Sequence, residues 1–111
     1  MAQPDFTIKK GDTRPAIQAT LSSAPTDVLD SVVFNMKASD GTAVVTRGSG
    51  TIVQQPSSTE AAIVKYQWQA ADTEAAGSGY QGEFEVTYSD SRVETFPNNR
   101  NLVIEIIDDL G

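Results

Sequence analysis

The side chains of this sequence with the means to do chemistry are its carboxylates. Glu83 and Glu85 stand two apart, and Asp90 and Glu94 follow closely. Two carboxylates facing each other across a groove can divide the acid and base roles of glycosidic cleavage. The same residues on a strand also make an ordinary solvated face, because Asp and Glu are exposed by default. The chain has no histidine and no cysteine. That removes the commonest general base and the usual nucleophile–base pairs. It also removes disulfides and thiolate metal sites. Asp108-Asp109 offers hard oxygens, but calcium takes about six to eight of them and no loop here follows the calcium-loop pattern. An acidic chain end is the simpler reading. Gly48-Ser49-Gly50 and Gly77-Ser78-Gly79 lack the lysine and the strand–loop–helix setting of a phosphate loop, and read as turns. No catalytic, cofactor-binding or metal-ligating residue is assigned.

Trp68, Tyr66, Tyr80 and Tyr88 have two readings. Exposed, they would form an aromatic platform for sugars or peptides. Buried, they are core. Their alternation with polar neighbours favours the core, most clearly for Trp68. The case is weaker for Tyr66, whose hydroxyl wants a partner or water.

The elements that would position these residues are strands. Residues 80–88 alternate strictly, with Tyr80, Gly82, Phe84, Val86 and Tyr88 on one face and Gln81, Glu83, Glu85 and Thr87 on the other. This is the period of a half-buried strand. Ser89-Asp90-Ser91 supplies a turn, and residues 92–96 return to complete a hairpin. Further strands are expected at residues 5–10, at 15–21 with Pro15 at the tolerated first position, at 31–38, at 43–46, at 51–54, at 61–69 and at 101–107. Asp40-Gly41 marks a hairpin turn. Residues 26–29 and 70–79 each suggest a short helical turn, the second capped by Asp72 and ended by Gly77. About eight or nine short strands with regular turn signals point to a sandwich or barrel. Phe34, Trp68, Phe84, Val86 and Ile104 are expected to form the mutually packed core.

The chain is 111 residues long with a net charge of −7, from 15 acidic and 8 basic residues. That length suits one domain, residues 1–111, able to bury a core without covalent staples. Lys9-Lys10 is the densest basic spot, so phosphate-driven nucleic-acid binding and anionic membrane surfaces are both disfavoured. No apolar run approaches membrane-spanning length, and the first residues lack the pattern of a secretory signal. Residues 1–5 are short, polar and carry Pro4. They read as an arm that orders against a partner or adds a strand to it, or else as a terminus without a role. Their deletion is expected to leave stability nearly unchanged. The loops at 22–30 and 70–79 are the next candidates for docking.

Three segments in order carry a family resemblance. They are Phe6-Thr7-Ile8-Lys9-Lys10-Gly11-Asp12-Thr13-Arg14-Pro15, then Tyr66-Gln67-Trp68-Gln69-Ala70-Ala71-Asp72-Thr73, then residues 79–88 with Arg92-Val93-Glu94-Thr95-Phe96-Pro97. Together they resemble the N-terminal domain of tailed-phage baseplate upper proteins. The resemblance implies an all-β fold, an immunoglobulin-like antiparallel β-sandwich. It implies a non-enzymatic virion structural protein, assembled in the bacterial host cytoplasm, that docks other phage virion proteins in a multi-copy assembly. No cofactor and no catalytic residue comes with it. In longer relatives a receptor-binding part follows this domain, and this sequence holds none. A place on the capsid, at the neck or at a spike base therefore stays open beside the baseplate. A carbohydrate- or host-binding module is the reading from another class.

Overall fold

A computed structural model describes residues 4–21, 27–108 and 110. Outside it lie residues 1–3 of the expected arm, residues 22–26 of the expected loop and helical turn, Asp109 and Gly111. The described chain forms nine strands: β1 Phe6–Lys9, β2 Ile17–Leu21, β3 Leu29–Lys37, β4 Ala43–Ser49, β5 Thr51–Gln54, β6 Ala62–Tyr66, β7 Gly77–Tyr88, β8 Val93–Phe96 and β9 Leu102–Ile107. They make an all-β sandwich. One sheet runs β1-β9-β7-β3-β4, with β8 added alongside β7, and the other runs β2-β6-β5. All pairings are antiparallel except β1 with β9, which run parallel from Phe6 opposite Ile104 to Lys9 opposite Ile107.

β7 is the spine of the larger sheet. β3 pairs along one of its edges from Gln81 to Tyr88. On the other edge β9 pairs with its first half and β8 with its second. The alternation read from residues 80–88 holds throughout, with every second residue from Tyr80 buried. Phe34, Phe84, Val86 and Ile104 are fully buried and Trp68 is 1% exposed, so all five expected core residues belong to one cluster. Phe34 sits at its centre. Its ring lies 5.0 Å from Tyr66, 5.0 Å from Phe84 and 5.6 Å from Trp68, the last edge-on. Gly82 is what admits it. A Cβ there would stand 2.7 Å from Ile104 Cδ1 and 2.9 Å from Phe34 Cζ.

Several boundaries differ from the sequence expectation. Gly48-Ser49-Gly50 does not break β4, which runs on to Ser49. Gly48 is there for close approach, since a Cβ would come within 2.7 Å of the Tyr66 ring. The chain then crosses between the sheets at Gly50, whose N–H donates to the Val32 carbonyl. Gly77-Ser78-Gly79 is likewise no separate turn. It is the start of β7, with a register shift against β9 before Tyr80. The turn expected at 70–79 is shorter, a single 3-10 turn at Ala70–Thr73. Asp72 lies inside it rather than before it, and its carboxylate accepts the Gln69 N–H at 2.8 Å. Leu29 is already strand and not the end of a helical turn. β6 stops at Tyr66, although Trp68 keeps the alternation and stays buried.

Candidate functional site

The β7–β8 register separates the carboxylates. Glu85 stands opposite Thr95, and Val86 stands opposite Glu94. Residues paired across strands share a face, so Glu94 shares the core side with Val86, while Glu83 and Glu85 share the other. Glu94 accepts the Tyr88 hydroxyl at 2.8 Å and the Asn98 amide at 2.9 Å. Glu85 pairs with Arg47 at 3.0 Å. Asp90 accepts the Arg92 N–H at 3.0 Å and organises the hairpin turn. The β7–β8 register thus sets Glu94 on the face opposite Glu83 and Glu85, and Glu85 on that face is already paired with Arg47, so the carboxylates considered from sequence do not face one another across a groove. Asp109 of the Asp108-Asp109 pair lies outside the described residues, among which no group of three or more His, Cys, Asp or Glu is placed to hold a metal ion.

The aromatic platform does not form either. Trp68, Tyr66, Tyr80 and Tyr88 are at most 7% exposed. Each tyrosine hydroxyl is spent inside the fold. Tyr66 donates to Asp72 at 2.6 Å, Tyr80 to the Ala75 carbonyl at 2.6 Å and Tyr88 to Glu94 at 2.8 Å. Burial first, then the neighbouring carboxylate, pushes the Tyr66 and Tyr88 hydroxyls well above the ordinary phenol range. They are fixed as donors. Trp68 Nε1 is buried without a hydrogen-bond partner among the described residues.

The expected arm is tied down at its end. Asp5 takes two hydrogen bonds from the Arg100 guanidinium, at 2.9 and 3.3 Å, and one from the Val103 N–H at 2.8 Å. Its own N–H donates to the Val103 carbonyl at 2.7 Å. The Arg100 bonds hold its carboxyl below the usual carboxylate range, against a smaller opposing effect of burial. Asp5 thus belongs to the folded body. The arm read as residues 1–5 is corrected at that residue, because the β1–β9 pairing reaches back to it.

What the fold leaves open is a groove beside β2. Along one edge β2 pairs with β6 in unbroken register, from Ile17 opposite Tyr66 to Leu21 opposite Ala62. Among the described residues, no strand lies beside its other edge in either sheet. There Gln18, Ala19, Thr20 and Leu21 form one wall of a groove of about 590 Å³. Phe96, Pro97, Asn98, Asn99 and Arg100 also line it. Phe84 and Leu102 contribute apolar surface, and Asp5 closes the end with Arg100. The only charged pair in the lining neutralises itself. Sequence reasoning passed over this place. The available signal was the run Ile17-Gln18-Ala19-Thr20-Leu21, a strand with no charge to guard its edge.

No protein-family model matches the chain, and no curated protein matches its sequence.

Proposed function

We propose that this chain is a non-enzymatic structural module of a tailed-phage virion. Its immunoglobulin-like sandwich docks other virion proteins at a baseplate or tail, in a multi-copy assembly completed before lysis. The observation that carries the reading is the contrast between spent chemistry and an open edge. The tyrosines, Asp5, Glu85 and Glu94 are consumed in holding the fold, whereas among the described residues the β2 edge along the groove has no strand paired to it. Main-chain pairing at a sheet edge is a general way to attach one protein to another. The order of segments that resembles baseplate upper proteins supplies the virion setting. The same surface would serve at the capsid, neck or spike base.

The test is mass spectrometry of purified particles from the phage that produces the chain. A stoichiometric copy number is the expected result. Particles that lack the chain would overturn the reading.

A further inference from the structure

We infer that the chain forms a two-fold dimer by antiparallel pairing of β2 with β2 of a second copy. The inference stands on the strand itself, does not rest on the virion setting, and gives the β2 edge to a second copy of the chain, leaving the rest of the surface to other partners.

Sheet edges in natural proteins are guarded by charge, proline, bulges or shortness. The other edges here carry such guards. β1 has Lys9. β4 has Arg47 and register shifts against β3. β5 has a register shift between Ile52 and Gln54. β8 has Glu94. β2 has none of these: it is uncharged, and its five residues pair with β6 in continuous register. A bare edge of this kind is a template for another strand.

The order of residues along β2 says which strand. The five residues run buried, exposed, intermediate, exposed, buried, a pattern that reads the same in both directions. Centred on Ala19, an antiparallel self-pair sets Ile17 opposite Leu21 of the second copy and Gln18 opposite its Thr20. Apolar residues then meet apolar ones on the core side, and polar residues meet polar ones outside. Ala19 crosses itself at the axis, where its small side chain lets the strands approach. This is the self-complementarity that a two-fold interface requires. The electrostatics agree. The chain carries −7 overall, yet β2 contributes nothing to it, and Asp5 with Arg100 is neutral at the end of the groove. Two copies can therefore meet here without stacking like charges. The three-stranded sheets of the two copies would join into one of six.

Gln18 and Thr20 are both exposed, so they can be changed without touching the core. The Q18K/T20K variant sets lysine opposite lysine twice across the axis, while lowering the chain's overall negative charge. The Q18K/T20E variant sets lysine opposite glutamate twice. Directly opposed like charges destabilise a strand pair and unlike charges support it. Sedimentation velocity over a concentration series reads the outcome, with circular dichroism confirming that each variant is folded. The expected result is a dimer for the wild type and Q18K/T20E, and a monomer for Q18K/T20K at the same concentrations. A wild type that stays monomeric at the highest concentration overturns the inference and leaves the edge to a strand from a different protein. A dimer that survives in folded Q18K/T20K overturns it too, since the contact then lies elsewhere. Neither result touches the particle measurement above, so the two readings fail separately.

Discussion

β7 and β2 are the two extremes of this molecule. β7 has neighbours along both edges, with β3 on one side and β9 then β8 on the other. Its inward face, from Tyr80 to Tyr88, is buried at every second residue. β2 has β6 on one side and a groove on the other. The difference teaches where the fold keeps its stability and where it keeps its freedom. A strand flanked twice cannot be altered without disturbing three others. A strand flanked once can change its outward residues at little cost. Variants in the two regions should separate accordingly.

The largest effects belong to the spine. Phe84→Ala removes a fully buried ring that packs against Phe34. It should cost about 3–5 kcal/mol in urea unfolding, much of the stability of a domain this size. Trp68→Ala should cost about as much. Trp68→Phe should cost far less, because Nε1 has no hydrogen bond to lose. If Trp68→Phe proves as damaging as Trp68→Ala, the indole nitrogen has a role that packing does not describe.

Gly82→Ala comes next. Its new methyl would meet Ile104 Cδ1 at 2.7 Å, closer than carbon atoms approach. Overpacking of this kind costs about 1–3 kcal/mol. Gly82→Ala with Ile104→Val should recover part of the loss, because the shorter side chain vacates the contested space. A double variant that is simply the sum of its parts would show that the strain lies against Phe34 instead.

Tyr88→Phe is smaller again, at about 1 kcal/mol. It deletes the bond to Glu94, but Glu94 keeps Asn98 as a partner. Equal melting temperatures for the two proteins would mean that water replaces the hydroxyl without loss.

How legible these two regions were differs for physical reasons. β7 was plain in the sequence because a strand buried on one face writes its period into residue types. The core followed from it, since Phe34, Trp68, Phe84, Val86 and Ile104 each sit on such a face. Turn glycines were harder. Gly41 has a φ of 92° and does what Asp-Gly predicts. Gly48 and Gly77 look the same in sequence, yet both lie inside strands. A glycine chosen for closeness cannot be told from one chosen for φ until its neighbour is known. The carboxylates misled because faces are set by register, and Glu94 joined β7's core side only through the β8 pairing. The groove was invisible for a related reason. An unpaired edge is a property of sheet order, and nothing within Ile17–Leu21 says that no strand lies on its far side.

The smallest expected effect concerns the clamp at the groove's end, and it tests whether the β2 side holds any stability at all. Asp5 is bonded by Arg100 and the Val103 N–H, and its carboxyl ionises below the usual range mainly because of Arg100. A carboxyl with a lowered native pKa binds fewer protons folded than unfolded. Its contribution is therefore complete above the ordinary Asp range, near ~3.9, and drains away as pH falls toward the lower native value. The pair is exposed enough that the contribution is modest and screened by salt. Asp5→Asn should lower the urea midpoint slightly at neutral pH, and the gap from wild type should close as the solution is acidified through that range. Deletion of residues 1–5 should lower the midpoint at least as much, reversing the expectation of a removable arm. A gap that keeps its size down to acid would mean that Asp5 acts through its backbone pairing with Val103 and not through its charge. The chain at Asp5 would then be held to β9 by that backbone pairing alone.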